Sequence, residues 1–441
     1  MTQWWCEHAW LGGEIIADAV TVSVTDGVIT ALQTDTAPIG TVLRGLVIPG
    51  LANAHSHAFH RALRSHTQRD RGSFWTWRRL MYDVAGRLTP DTYGDLARAV
   101  YAEMALAGIT AVGEFHYLHH DTSGRPYADP NAMGHALIDA ATAAGLRLTL
   151  LDTCYLSSGI DGAPLEDGPQ QRFGDGDAER WAQRVDEMMP TNRVTIGAAI
   201  HSVRAVPADQ MATVAGWATD RQAPLHIHSS EQTAEVQQCL TVHGCTPTAL
   251  MRDHGVLGAH TTAVHATHLT ERDIADLTGS ATGVCFCPTT ERDLGDGIGP
   301  AAALIGGTFS LGSDSHAVID LFEEARAVEL DERLDRRERG LFPAGRLLDC
   351  ASADGHRALG RPDAGALRVG ARADLVAVDL NSVRTAGGGS TPETAVFAAA
   401  AADVTDVVVD GRPVVVDGTH VDVPDVGAAL AAAIRAVLDD R

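Results

Sequence analysis

Eight short runs of continuous hydrophobicity, spread over most of the chain, limit its fold more than any other feature. They occupy residues 46–48, 110–115, 146–151, 194–200, 225–227, 262–264, 283–287 and 308–312. A strand with one face in water alternates apolar and polar side chains. A continuous Val/Ile/Leu-rich run instead suits a strand covered on both faces, as in a parallel sheet. Between most runs lie Ala/Leu-rich segments with helical spacing, such as 90–107, 130–144 and 178–189. Eight strand-then-helix units between residues 49 and 360 predict a (β/α)8 TIM barrel with long loops. A doubly wound open sheet rarely needs eight repeats, and no Gly-x-Gly-x-x-Gly follows the first strand.

The two ends have another texture. Residues 19–24 are β-like, Asp26-Gly27 is a turn signal, and a second β-like piece follows at 28–30. Residues 373–378 and 407–416 read the same way, and 398–402 reads as the end of a helix. Residues 1–48 and 365–441 are therefore expected to fold together as a small β-sandwich beside a catalytic barrel of 49–364.

Composition narrows the function. With 45% hydrophobic and 21% charged residues, the 441-residue chain has an ordinary globular balance. A formal net charge of −23 argues against nucleic acid and anionic membrane surfaces as partners. The chain contains no lysine, so all 34 of its Lys/Arg residues are arginine. That excludes Schiff-base and P-loop chemistry, and any carboxylated lysine bridging two metals. Seven cysteines at irregular spacing suggest reduced thiols and a cytoplasmic location, with Cys285-x-Cys287 read as core filling. The first residues, Met1-Thr2-Gln3-Trp4-Trp5, show neither the basic nor the apolar region of a secretory signal. No apolar run approaches the ~18–20 residues of a membrane span.

His55-x-His57 closes the expected first barrel strand, and period-two geometry puts both imidazoles on one side of it. His228 ends the run 225–228 and Asp314 ends 309–314. Strand C-termini converge at the top of a barrel, so these four residues can meet there. Three imidazoles and a carboxylate suit one divalent metal, zinc first and iron(II) as the alternative, with a position open for water. An isolated His-x-His would more often be a pair of satisfied loop histidines; the partners at other strand ends favour ligands.

Two segments carry a resemblance: Val47-Ile48-Pro49-Gly50-Leu51-x-Asn53-x-His55-x-His57 and Gly370-x-x-Ala373-Asp374-Leu375-Val376 resemble the amidohydrolase superfamily. Longer strings are more specific. Ser73-Phe74-Trp75-Thr76-Trp77-Arg78, Glu114-Phe115-His116-Tyr117-x-His119-His120 and Tyr127-Ala128-Asp129-Pro130 resemble the formimidoylglutamate deiminases of bacterial histidine degradation. So do His201-Ser202-x-Arg204, His226-Ile227-His228-x-x-Glu231-Gln232, Val264-His265-Ala266-Thr267-His268, Leu294-Gly295-Asp296-Gly297 and Gly312-Ser313-Asp314-Ser315-His316. These enzymes release ammonia from N-formimino-L-glutamate and leave N-formyl-L-glutamate.

The resemblance implies a role for each residue. A metal-activated water attacks the formimino carbon, Asp314 takes its proton, and Glu231 protonates the leaving nitrogen. His265 polarises the tetrahedral intermediate, with His268 the second choice on that segment. Arg78, Tyr117, His201 and Arg204 hold the glutamate part, arginine supplying the fork that binds carboxylates. Arg78 is expected in the long loop after strand one, beside tryptophans that shield the site. Where the family pattern often has glutamine, this chain has His60, which would bring pH dependence near neutrality. Relatives of this kind are commonly homodimers. The alternatives are a cyclic amidine or purine deaminase, an imidazolonepropionase, or a non-catalytic scaffold, which would be expected to have lost the ligands.

Overall fold

A computed structural model describes residues 2–68 and 74–438, without the side chains of residues 74 and 75. The N-terminal strands are Thr2–Trp10 (β1), Ile16–Thr25 (β2), Val28–Gln33 (β3) and Thr41–Pro49 (β4). Eight further strands follow: Leu51–Ser56 (β5), Ile109–His116 (β6), Arg147–Cys154 (β7), Val194–Ser202 (β8), Leu225–Ser229 (β9), Thr261–His265 (β10), Gly283–Phe286 (β11) and Phe309–Leu311 (β12). They pair in sequence order, every ladder parallel. An isolated parallel bridge between Ser56 and Asp314 brings the last strand back to the first. The TIM barrel expected from the eight apolar runs is present, and β5, β6, β7, β9, β10, β11 and β12 are buried at every position.

One of the eight runs is not a barrel strand. Residues 46–48 belong to β4, outside the barrel, where Leu46, Val47 and Ile48 pair with Val378, Ala377 and Val376. Pro49 and Gly50 break the run, and the first barrel strand starts at Leu51. Gly50 is needed at the crossing, since a Cβ there would lie 2.3 Å from Thr110 Oγ1. Hydrophobicity alone cannot separate two consecutive strands in different sheets, because both are buried.

Leu375–Val378 (β13), Val404–Val409 (β14), Arg412–Val416 (β15) and Thr419–His420 (β16) complete a mixed sheet from both chain ends, in the order β16-β15-β14-β13-β4-β1-β2-β3. The C-terminal segment also contains helices Pro392–Phe397 and Val426–Leu438, the latter packed on the barrel helix Pro90–Leu106. That barrel helix starts where its sequence dictates: Thr89 caps it by accepting the Thr92 N–H, and Pro90 needs no amide partner in the first turn. Among the described residues no helix is long and apolar enough to cross a membrane.

Barrel and mixed sheet are tied by buried charge. Arg147, at the start of β7, donates to Asp374 and Asp410, and Asp374 also accepts the Asp410 N–H at 2.9 Å. Arg147 and Asp374 are each 1% exposed, so removing either partner leaves the other charge stranded. Arg147→Met should cost about 3–5 kcal/mol. Urea unfolding of the variant checks this, and a loss within error of zero would remove the pair from the account of stability.

Candidate active site

The strand ends deliver the expected side chains to one buried centre. His55 and His57 come from the end of β5, His228 from β9, His265 from β10 and Asp314 from the turn after β12. Asp314 Oδ1 lies 3.3 Å from both His55 Nε2 and His57 Nε2. His228 Nε2 is 3.0 Å from His55 Nε2, and His265 Nε2 is 4.0 Å from Asp314 Oδ2. Ligand atoms of His55, His228, His265 and Asp314 all fall within 4.8 Å of one another, and His57, His60 and Asp314 form an overlapping group.

The donor set fits a divalent cation. His57 Nδ1 lies 3.0 Å from the Phe115 carbonyl, which can only accept, so Nδ1 carries a proton and Nε2 is the nitrogen turned to the cluster. The two facing nitrogens of His55 and His228 share at most one proton. Burial drives His55 down to about 3 against the pull of Asp314. Burial, with His55 next, also holds His228 well below its ordinary value. Burial pushes the Asp314 carboxyl upward, but the His55 and His57 rings beside it outweigh this and hold its pKa well below the usual carboxylate range. Imidazole nitrogens that converge on one point beside a carboxylate are arranged to hold a cation.

A cavity opens above this centre. All the expected substrate contacts line it: His60, Arg78, Tyr117, His201 and Arg204, together with Glu231, His265 and Asp314. Glu231 follows β9 and is 5% exposed. Arg204 Nη2 is 3.3 Å from Glu231 Oε2, and Arg204 Nε is 2.7 Å from Glu235 Oε2. Burial works against the Arg204 charge, yet Glu235 and then Glu231 hold its pKa above the usual value. Burial also works against a charge on His265, but Glu231 and then Glu291 raise its pKa well above normal. Glu291 orients that ring, with its Oε1 3.3 Å from Nδ1 while accepting the Cys287 N–H at 2.9 Å.

Three expectations change in detail. Arg78 lies within the helix Phe74–Ala85, not in an irregular loop, and donates from Nε to Tyr82 Oη at 2.9 Å. Trp77 lines the cavity beside it, whereas Ser73 and the side chains of Phe74 and Trp75 lie outside the described residues. His60 is 2% exposed with Nε2 3.0 Å from Tyr117 Oη. Burial, then His57, pushes its pKa well below the ordinary histidine value, so it does not titrate near neutrality. His268 is held by the Asp296 carbonyl at 2.8 Å and does not line the cavity. The sequence reading missed Glu235, Glu291, Tyr82 and Tyr155. Glu235 had a faint signal as a first-turn acid four residues after Glu231; the other three had none.

With this geometry stand its likenesses. The chain belongs to the amidohydrolase family, metal-dependent hydrolases of carbon–nitrogen bonds, which it matches over residues 46–414. The formimidoylglutamate deiminase of Pseudomonas aeruginosa is 40% identical over 412 residues, covering 90% of each chain. The 8-oxoguanine deaminase of the same organism is 30% identical over 388 residues, 85% of this chain and 83% of that one. The crystal structure of an amidohydrolase from Brucella melitensis superposes with a TM-score of 0.91 at 34% identity, over 99% of this chain and 100% of that one.

His228→Ala should lower bound metal from about one equivalent per chain to near zero while the far-UV circular dichroism stays that of the parent. Elemental analysis after gel filtration checks it; full metal content in the variant would take His228 out of the ligand set.

Proposed function

We propose that this chain hydrolyses N-formimino-L-glutamate to N-formyl-L-glutamate and ammonia, as a cytoplasmic enzyme of histidine degradation. The observation that carries this reading is the charge pattern of the cavity. Glu231 and Asp314 lie at the centre with His265, and Glu235 and Glu291 stand behind Arg204 and His265. Arg78 and Arg204 supply the guanidiniums of the wall. A formimino group is an amidine that carries positive charge at neutral pH, and the glutamate part carries two carboxylates. Acids around the reacting centre and arginines on the wall complement both halves. In a lysine-free chain of net charge −23, these arginines are the natural means of holding a dianion.

In this reading His55, His57, His228 and Asp314 hold one divalent metal, zinc by preference for this nitrogen-rich set. When bound, the metal supplies Lewis acidity that brings the pKa of a water toward about 7. Asp314 takes the proton as the water oxygen bonds to the formimino carbon. Glu231 gives a proton to the terminal nitrogen, Asp314 passes to it the proton taken from water, and ammonia leaves as the C–N bond breaks and the hydroxyl proton returns to Glu231, leaving the formyl oxygen. His265, held by Glu291, stabilises charge on the tetrahedral carbon's oxygen. Tyr117, His201, His60, Arg78 and Arg204 position the glutamate portion.

The aromatic side chains of Trp77, Tyr82, Tyr155 and Phe173, and the likeness to a purine deaminase, give a planar heterocycle as the second reading. A coupled ammonia assay with formiminoglutamate, guanine, 8-oxoguanine and imidazolonepropionate separates the two. Ammonia is expected from formiminoglutamate; release only from a purine would replace the proposal with the second reading.

Two variants test the roles. Glu231→Gln should keep metal and fold while kcat falls by roughly 10²–10⁴; near-normal turnover would free Glu231 of its proton-transfer role. Arg204→Lys should raise KM more than it lowers kcat, since an ammonium lacks the bidentate fork. Unchanged kinetics would show that Arg204 does not clamp a carboxylate.

A further inference from the structure

The barrel's seam runs through the metal centre. β5 and β12 share no regular ladder: their backbones meet at the single Ser56–Asp314 bridge, where Asp314 N–H donates to His55 O at 3.0 Å and His57 N–H donates to Asp314 O at 3.3 Å. His55 and His57 therefore stand on one side of the least-bonded joint and Asp314 on the other. The distances among them depend on what holds that joint.

Behind it lies a chain of side chains that no step of the proposed reaction uses. Asn53 Nδ2 donates to Ser313 Oγ at 2.7 Å while Ser313 N–H returns a bond to Asn53 Oδ1 at 2.9 Å. Ser313 Oγ is 2.9 Å from His316 Nδ1, and His316 Nε2 is 3.2 Å from Ser56 Oγ. Ser56 Oγ donates to Glu114 Oε2 at 2.8 Å, and Glu114 Oε1 accepts the Ala58 N–H at 2.6 Å. Asn53, Ser56, Glu114, Ser313 and His316 are all 0% exposed.

Donor counting leaves one consistent polarity. Each serine has one hydroxyl proton. Ser56 gives its proton to Glu114, so it accepts from His316 Nε2–H. His316 Nδ1 is then bare and accepts from Ser313, whose oxygen accepts from Asn53. Burial pushes Glu114 up to about 7 even with the bonds from Ala58 and Ser56 pulling the other way. Every link is satisfied, and the ends of the chain grip residues adjacent to all three centre residues at the seam. Strand alternation sets Ser56 on the side of β5 opposite His55 and His57, which leaves it available for this clasp.

We propose that Glu114 and His316 are positioning residues: the clasp Asn53–Ser313–His316–Ser56–Glu114 fixes His55 and His57 against Asp314 and so sets the affinity of the centre for its metal. The inference rests on the metal-site reading above. Groups one bond removed from metal ligands commonly change affinity by about 10–100-fold when lost.

The test is zinc affinity, measured on the full chain by competition with a chromophoric chelator, in Ser56→Ala, Glu114→Gln and His316→Phe. Each should bind zinc about 10–100-fold more weakly. Zinc-saturated kcat should drop while KM stays near the parent value, because the clasp does not line the cavity. His356→Phe is the comparator, a buried histidine bonded to the Gly50 carbonyl at 3.2 Å: it should lower the melting temperature without changing zinc affinity. If His316→Phe fails to fold, Ser56→Ala decides the matter, as it removes one oxygen. Parental zinc affinity in the folded clasp variants, or an equal loss in His356→Phe, overturns the proposal. A parent protein that takes up no zinc overturns the metal-site reading itself and this inference with it.

Discussion

A cluster of buried imidazoles around one carboxylate is a configuration that a folding chain would not reach by local preference. His55 and His228 place two ring nitrogens 3.0 Å apart, with Asp314 Oδ1 3.3 Å from His55 and His57. Each of these groups loses hydration on burial and regains it only through the others or through a cation. The parallel barrel supplies the constraint that makes this possible. Its strands all end at the same face; six of the eight are held in register by ladders on both sides, and β5 and β12 by a ladder on one. Residues more than 250 positions apart in sequence then meet because their strands end together.

The lysine-free composition shapes what surrounds that centre. A guanidinium keeps its charge through burial, whereas an ammonium in the same place would be pressed to release its proton. Arg204 illustrates the use: it is lodged between Glu231 and Glu235 and still faces the cavity. Arg147 and Arg184 do comparable structural work elsewhere. Arg184 lies against Asp152 at 2.7 Å and Asp175 at 2.9 Å, in a pocket that also holds His116 and His119. Asp152 is saturated there by Arg184 and Trp181, so this second group of histidines and acid forms a packed polar network and not a second metal centre.

Much of this was legible in the sequence because barrel strands and site residues share one signal. A continuous apolar run ending in His or Asp marks both a buried strand and the face on which its last side chain opens, which is why His55, His57, His228 and Asp314 could be named from spacing, while His265 came with the family resemblance. Legibility failed where that signal was shared by something else. Residues 46–48 looked like the first barrel strand because β4 is buried too, and only the pairing with β13 distinguishes them. His60 looked titratable because sequence does not report burial. Glu235 left only a faint mark and Glu291 none, because their role is to hold Arg204 and His265, which only three-dimensional contact reveals.

The backbone at the centre carries a further feature without a sequence mark. Ser230, His265, Ala266, Asp314 and His316 have φ of 52°, 68°, 49°, 41° and 58°, a region that side-chain-bearing residues seldom occupy. Each costs on the order of 1 kcal/mol or more relative to extended or helical backbone. Glycine would relieve the strain, but at 265 and 314 it would also delete the functional group. The chain therefore keeps the side chain and offsets the strain with bonds around it: Ser230 N–H to Glu235, His265 to Glu291, and Asp314 N–H to His55 O. The groups that hold the strained turns are the same ones that aim the side chains. Loosening one of them should therefore disturb geometry at the centre before it disturbs the barrel, whose ladders lie below and do not depend on those turns.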